Sequence, residues 1–488
     1  MPWIFIIIQF KQVMKSIKRN FIYNVIDNVV TILSPIVTAP YIARVIGSQG
    51  VGRISFAESV MTFFLVGAGF GVSIYGEREI SYVQDDKHRR SVVFWNVFIL
   101  KAIIVPAFLA AYLIYVRNAS DVLAYYLALH ILAEVFAVNW YYMGIEEFGF
   151  LVLRSIVIRI LQIVYIFVFV KNSSHVVVYA MCSVFAVILT NISSMVYLPK
   201  YLEKVKLKEL SPFKCFVPSL LLFLPTVASL VYSVLDKAML GWIGQDLDEN
   251  GYYEEAYNLS RMVLTMITSI SSVMIPRIGF HYSKNNRKEL NNLMYKGYRY
   301  VFLLGIPMAF GLACVAWSFV PWFLGAGWDP VIPLLIIFAP ICLIVGMSNM
   351  TGKQYLVSTR RENIYTLTVL FGVVLNLVLN FFFIARWKAV GAAFASVIAE
   401  LAVLLLGLFM VRKELSLLAI FKSLPYSSSR LFSSSASSFL SRARIAGFMM
   451  TRIAIFFREL RRLRTSLSRR WISTLMLRAD FTRPVPLQ

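Results

Sequence analysis

The chain has 488 residues, 59% of them hydrophobic and 15% charged, with a mean hydropathy of +0.71. A soluble domain cannot bury that much apolar surface, because its area-to-volume ratio forces a polar exterior, so lipid is the expected solvent for most of the chain. The net charge of +23 would suit a nucleic-acid binder, but 15 Lys/Arg against 3 Asp/Glu from Arg412 onward put +12 of it in the last 77 residues. The other basic residues sit mainly in short loops, as topology signals do, and nucleic acid is not an expected partner.

Met1 to Phe10 is apolar but far shorter than the ~20 residues a helical span needs. Its basic residues follow the apolar run, the reverse of a signal peptide. Met14-Lys-Ser-Ile-Lys-Arg-Asn is a more natural beginning, which makes residues 1–13 an upstream extension and 1–19 a cytoplasmic N-terminus. Apolar runs broken by polar loops then predict twelve spans near 20–43, 54–75, 92–116, 121–143, 152–170, 175–198, 215–240, 254–275, 299–323, 331–350, 364–385 and 390–411. The ~10-residue alternation of a transmembrane β-barrel is absent, so the spans are helical.

Alternate loops carry the basic residues: the N-terminus (Lys15, Lys18, Arg19), Glu77 to Arg90, Lys200 to Lys214, Arg277 to Arg299 and Lys353 to Arg361. The loops Gly241 to Tyr253 and Gly325 to Pro330 carry none. The positive-inside rule puts the first set in the cytoplasm, with both termini inside. An internal repeat runs through the pattern. Ile42-Ala-Arg-Val-Ile-Gly47 ends the first span and Met239-Leu-Gly-Trp-Ile-Gly244 ends the seventh, each followed by a glycine-containing loop, then Gly52…Ala57 against Gly251…Ala256. The expected domains are a six-helix bundle over 20–198, a basic linker over 199–214, a second bundle over 215–411, and a Ser/Arg-rich tail over 412–488. Three readings of the tail stand open: a basic amphipathic segment on anionic lipid, a disordered tail, or a shifted reading frame that replaces further spans.

Cys182, Cys215, Cys314 and Cys342 have no CxxC or Cys/His spacing and read as small hydrophobes, with no metal site expected. His88, His130, His175 and His281 are scattered, and no glycine-rich nucleotide loop is present. Neither a cofactor nor an enzymatic activity is expected. The informative feature is polar residues recurring every three or four positions within apolar spans. They are Asn20, Asn24, Asp27, Thr31, Ser34 and Thr38 in the first span and Ser55, Glu58, Thr62, Gly69 and Ser73 in the second. Ser219, Thr226, Ser229, Ser233 and Asp236-Lys237 follow in the seventh, and Glu254, Asn258, Arg261, Thr265, Ser269 and Ser272 in the eighth. The eighth opposes these with Leu259, Met262, Val263, Met266, Ile270 and Val273. A polar face turns away from lipid, since a central charge costs at least ~3 kcal/mol there. The stripes belong to the first two helices of each half and predict a shared cavity, although any single hydroxyl is better read as a helix–helix contact. Lys101, Arg154, Arg159, Glu400, Asn376 and Asn380 are further ionisable or amide groups within spans. Glu134 and His130, one turn apart, suit a proton relay or, more simply, a hydrogen-bonded pair. Pro35 and Pro225 are sites where spans can bend.

Several stretches resemble Wzx-type oligosaccharide repeat-unit flippases: Met14-Lys-Ser-Ile-Lys-Arg-Asn-Phe-Ile-Tyr-Asn, Ala39-Pro-Tyr-Ile-Ala-Arg-Val-Ile-Gly47, Tyr75-Gly-Glu-Arg-Glu-Ile80 and Asn139-Trp-Tyr-Tyr-Met-Gly144. Leu235-Asp-Lys-Ala-Met-Leu-Gly-Trp-Ile-Gly244 with Gly251-Tyr-Tyr-Glu-Glu-Ala-Tyr257 is the most specific. The likeness covers about Met14 to Leu415. It implies an all-α integral membrane fold of the MATE-like MOP superfamily, with twelve helices in two six-helix bundles forming a V around a cationic cavity. It implies a substrate of undecaprenyl pyrophosphate carrying an oligosaccharide, moved by alternating access with H+ or Na+ coupling, beside membrane lipids, a polysaccharide polymerase and glycosyltransferases. Arg44, Arg53, Lys237 and Arg261 are then the candidates for the pyrophosphate, with Asp236, Asn24, Asp27, Glu58, Glu254 and Asn258 in the same cavity. Relatives commonly carry two further spans where this chain has its tail. A cation-coupled multidrug exporter of the same fold is the alternative and predicts an acidic, aromatic pocket. A membrane-embedded glycosyltransferase or polymerase needs paired carboxylates or basic residues in a large outer loop, and every predicted outer loop is short.

Overall fold

The computed structural model describes residues 2–117, 121–268, 271–416 and 419–420, with side chains from residue 30 onward except 32, 224–233, 271–273 and 276. The described residues up to Leu415 form one compact unit. The tail beyond residue 420, with its three readings, lies outside the described residues, as do Ser269 and the side chains of Asn20, Asn24, Asp27, Pro225, Thr226, Ser229, Ser233 and Ser272.

Every described element is helical. The first half comprises α1 (Pro2–Gly69), α2 (Val72–Tyr82), α3 (Lys87–Val116), α4 (Val122–Glu134), α5 (Asn139–Gly144), α6 (Phe148–Phe169) and α7 (Val176–Tyr197). The second comprises α8 (Phe216–Met239), α9 (Leu247–Thr268), α10 (Ser271–Ser283), α11 (Arg287–Phe323), α12 (Val331–Phe338), α13 (Ile341–Asn349) and α14 (Glu362–Val411). Among the described residues eight helical stretches are long and apolar enough to cross a membrane. Two of these, Leu33–Tyr82 and Glu362–Val411, have 50 residues each, about 75 Å at 1.5 Å per residue, which is more than twice the ~30 Å hydrocarbon core. Each is interrupted by non-helical backbone, at Gly47 (φ 77°) in α1 and at Lys388 (φ 48°) in α14. Gly47 needs no Cβ to occupy that left-handed region.

The sequence boundaries shift where tertiary contacts override hydropathy. The span expected over 121–143 breaks after Glu134 and resumes as the short α5. The span over 331–350 divides into α12 and α13, with Pro340 as the cap between them, and then continues as a π-helical turn over Met350–Val357. Lys353 therefore lies within a helix rather than in the basic loop expected there. Pro35 and Pro40 are both accommodated inside α1.

On α6, Leu153, Val157, Ile160, Leu161, Val164 and Val168 are all exposed; their helical spacing makes an apolar face suited to lipid. Two of the stretches quoted above as motifs meet in the first half: a Cβ on Gly76 would overlap the Trp140 ring, and one on Gly144 would lie 2.7 Å from Ile80. Trp140, Tyr141 and Tyr142 are buried there with Phe94.

The two halves touch at both ends of the helices. At the Gly47 end the repeated glycines face each other. A Cβ on Gly52 would stand 1.7 Å from the Leu247 carbonyl oxygen and 2.7 Å from the Gly251 nitrogen, and one on Gly251 would stand 2.2 Å from the Ser48 carbonyl oxygen. The Ser48 hydroxyl donates to Asp248, and Trp328 Nε1 donates to the Ala43 carbonyl at 3.1 Å. At the opposite end Phe70 packs on Phe216 and Phe223, with centroids 4.9 and 5.4 Å apart.

Candidate functional site

Between these contacts, α1 and α9 enclose a charged cluster. Glu254 is its centre. It pairs with Lys237 Nζ at 2.6 Å through Oε2, which also accepts from Ser55 Oγ at 2.5 Å, while Oε1 accepts from Asn258 Nδ2 at 2.9 Å. Lys237 stands 5.0 Å from the Tyr257 ring centroid, and the Arg261 guanidinium lies 5.4 Å from the same centroid. Four candidates from two helices, Lys237 of α8 and Glu254, Asn258 and Arg261 of α9, thus gather around one ring and one carboxylate. The pair is only 15% and 18% exposed; losing either partner strands the other, at up to ~3–5 kcal/mol for a fully buried pair.

Asp236 is next to Lys237 in sequence but points elsewhere, because consecutive helical residues do not share a face. Its carboxylate accepts from Tyr253 OH at 2.6 Å, Asn380 Nδ2 at 2.5 Å and the Ser396 hydroxyl; Asn380 Nδ2 also donates to Asn376 Oδ1 at 3.0 Å. The expected place for Asp236 in the shared cavity is corrected to a closed cage inside the second half.

Two cationic candidates are not brought to the cluster either. Arg44 donates through Nη2 to the Trp322 and Phe323 carbonyls at 2.5 and 3.1 Å, near the Gly47 break. Arg53 makes a two-pronged contact with Asp121, Nε to Oδ2 at 2.8 Å and Nη2 to Oδ1 at 2.5 Å. That hydrogen bond, opposed by partial burial, holds the Asp121 carboxyl below the usual aspartate range. Both arginines fasten helix ends. Neither the relay nor the simpler hydrogen-bonded pair read for His130 and Glu134 is formed: Glu134 pairs with Lys101 at 2.7 Å, and Lys101 also donates to the Ala137 carbonyl at 2.9 Å. His130 Nε2 contacts Ser183 Oγ at 3.1 Å, and Ser183 donates to Glu58 Oε1 at 3.4 Å. Arg154 bonds Ser194 and Asn139 Oδ1, a contact within the first half.

The two faces read on the eighth span are separate in space. Tyr257, Arg261, Thr265 and Thr268 of α9 line a cavity of about 420 Å³ with Ser348, Asn349, Lys353, Tyr365 and Glu400. Neither Arg261 nor Lys353 has an ion-pair partner among the described residues. On the other side of α9, Leu259, Met262, Val263 and Met266 line an almost wholly apolar groove of about 530 Å³ with Ile36, Met308 and Trp322. Sequence reasoning missed Lys353, and no local signal could have found it, because only the π turn carries it round to the cavity. Glu255 was missed as well, and so was Tyr257; both were quoted only within the Gly251–Tyr257 motif, and Glu255 follows the recognised Glu254 but lies off its helix face. Among the described residues no group of three His, Cys, Asp or Glu is placed to hold a metal ion. Cys182, Cys215, Cys314 and Cys342 are all free, and Cys314 is exposed rather than buried.

Comparison with known proteins agrees with this architecture. The chain is 23% identical over 406 residues to the "Putative O-antigen transporter" of Escherichia coli (strain K12), covering 82% of this chain and 97% of that one. Its fold matches the lipid II flippase MurJ in an inward closed conformation with a TM-score of 0.67, at 18% identity over 86% of this chain and 92% of that one. It also matches an inward-facing multidrug resistance MATE family transporter of the MOP superfamily with a TM-score of 0.61, at 15% identity over 81% and 96%. A family model described as polysaccharide biosynthesis protein matches residues 17–280, more than half of the sequence. The chain, a multi-pass helical membrane protein with the MOP-superfamily fold and a likeness to Wzx-type flippases, belongs to the polysaccharide biosynthesis protein family.

Proposed function

We propose that the chain is a flippase. It carries undecaprenyl-pyrophosphate-linked oligosaccharide units from the cytoplasmic to the outer leaflet of a bacterial inner membrane, for capsule, exopolysaccharide or O-antigen assembly. The observation that carries this reading is the pair of cavities flanking α9, one cationic and one apolar. A lipid-linked sugar phosphate presents both chemistries at once. Arg261 and Lys353 meet the pyrophosphate through charge-assisted hydrogen bonds. Thr265, Thr268, Ser348 and Asn349 satisfy sugar hydroxyls, and the isoprenoid stays against the Met- and Leu-lined groove. Lys237, neutralised by Glu254, stands against the Tyr257 ring at the edge of the same site.

The chain works as two six-helix bundles, residues 20–198 and 215–411, joined by the basic linker 199–214. Both termini face the cytoplasm, since the basic loops gather on that side. The Gly52–Gly251 contact is then the outer closure and the Phe70–Phe216 contact the inner one. Alternating access opens one while the other stays shut, driven by a proton or sodium gradient. The substrate arrives from glycosyltransferases and leaves toward a polymerase.

Arg261→Ala and Lys353→Ala, each expressed at normal level in cells lacking the native gene, are expected to deplete surface polysaccharide and accumulate lipid-linked units. Normal surface polysaccharide in the double variant removes the cationic cavity from the pathway. One observation favours a second reading, a cation-coupled exporter: three carboxylates, Glu58, Glu254 and Glu255, line a further chamber beside the cluster. On that reading, loss of the gene sensitises cells to lipophilic cations and leaves lipid-linked sugars at their normal level.

A further inference from the structure

That acidic chamber, about 240 Å³ in volume, lies between α1, α7 and α9. Its three carboxylates are satisfied very unequally. Glu254 has Lys237, Ser55 and Asn258. Glu58 has one long hydrogen bond, from Ser183. Glu255 is 6% exposed, lines the chamber, and has no hydrogen-bond or ion-pair partner among the described residues. Tyr179 and Asn258 complete the polar lining, with Thr38 and Ser55 from α1.

A buried carboxylate without a partner is costly, and breaking even a good pair leaves several kcal/mol uncompensated. Among the described residues the only cation bonded to any of the three is Lys237, which Glu254 holds. The Lys237 charge reaches Glu58 and Glu255 from a distance, but it is bonded to Glu254, so these two carboxylates face the chamber without a bonded cation among the described residues. Among the described residues the three do not converge as a metal-binding group, and the chamber is roomy enough for an organic cation. Its position narrows the guest further. Glu254 and Glu255 precede Arg261 by seven and six residues on α9, roughly 9–11 Å along the axis, so a molecule whose phosphates sit at Arg261 extends its sugars toward the carboxylates.

We propose that Glu58 and Glu255 bind an ammonium group carried on the translocated sugar, so that the preferred substrate bears a free amine as well as a pyrophosphate. This rests on the flippase reading and deepens it. The ammonium donates to the two carboxylates, Tyr179 offers its ring beside them, and the same sugar with an acetylated nitrogen loses the charge that the chamber is built to meet.

The test uses the full chain in lipid nanodiscs and equilibrium binding of four probes: glucosamine, N-acetylglucosamine, sodium chloride and inorganic pyrophosphate. Glucosamine is expected to bind saturably and N-acetylglucosamine about tenfold more weakly or not at all. Glu255→Gln and Glu58→Gln, near-isosteric changes verified by gel filtration, are each expected to weaken glucosamine by about tenfold while pyrophosphate binding holds. Equal binding of the two sugars, glucosamine binding that survives the double variant, or a Glu58/Glu255-dependent site filled by sodium alone would each overturn the proposal. Failure of the unsubstituted protein to bind pyrophosphate would instead strike the flippase reading, and the two sugar titrations would still be read separately.

Discussion

Placing a single methyl group at Gly52 should hold the two halves apart at the Gly47 end. The Cβ of Gly52→Ala would sit 1.7 Å from the Leu247 carbonyl oxygen and 2.7 Å from the Gly251 nitrogen. Both neighbours are backbone, so no rotamer change relieves the overlap. Restoring an ordinary separation of ~3.5 Å moves the helices apart by roughly 1.5–2 Å. Overpacking of this kind costs ~1–3 kcal/mol, and backbone on both sides argues for the upper end. At ~1.4 kcal/mol per tenfold, the closed arrangement at this end loses about a hundredfold in population. The Ser48–Asp248 hydrogen bond spans the same contact, so a Ser48→Cys/Asp248→Cys pair reports on it by disulfide cross-linking. Cross-linking should be rapid in the parent and fall sharply with Gly52→Ala. Gly311→Ala, whose new Cβ has open space around it, should leave it unchanged. Equal cross-linking in the Gly52→Ala variant and its parent refutes the reasoning.

Lys237→Met strands Glu254 and should lower the detergent-solubilised melting temperature, whereas Lys237→Met with Glu254→Gln removes both charges and should recover most of the loss; a double variant no better than the single one contradicts the pairing. Asp236→Ala removes the acceptor shared by the Tyr253 hydroxyl, the Ser396 hydroxyl and one Asn380 Nδ2 hydrogen, a cost of ~1–3 kcal/mol for a donor left stranded, and thermal unfolding should show it while the conservative Asp236→Asn shows less. The Arg53–Asp121 contact lowers the Asp121 pKa, so the stability it gives is fully present above the unfolded aspartate value of ~3.9 and lost as pH falls through the lower folded value. A melting curve of Asp121→Asn that keeps the parent's acid dependence below that range contradicts this assignment.

Much of the arrangement was legible in the sequence because it depends on period and position. The repeat that aligns Gly52 with Gly251 also marks where the halves meet, since only glycine lets two helix backbones approach that closely. The two faces of α9 follow from spacing alone, with Arg261 and Thr265 one turn apart and Met262 and Met266 opposite them. The partners of charged groups were not legible, because they depend on which helices are neighbours. Arg44 and Arg53 looked like free cations until the Trp322 carbonyl and Asp121 stood beside them. Asp236 and Lys237 read as one pair, yet the ~100° turn between consecutive residues sends one to Ser396 and the other to Glu254. Lys353 read as a topology signal at the start of a loop. The π turn of Met350–Val357 keeps it helical and brings it to the cavity.

The most direct measurement is lipid translocation by the purified full chain in sealed liposomes. A fluorescent polyprenyl-pyrophosphate oligosaccharide is placed in one leaflet, and its arrival in the other is read by membrane-impermeant quenching. Translocation by the parent protein that is lost in Arg261→Ala/Lys353→Ala, with protein incorporation equal, is the predicted result. Equal rates in parent, double variant and protein-free liposomes would contradict the claim that this cationic cavity carries a lipid-linked sugar across the membrane.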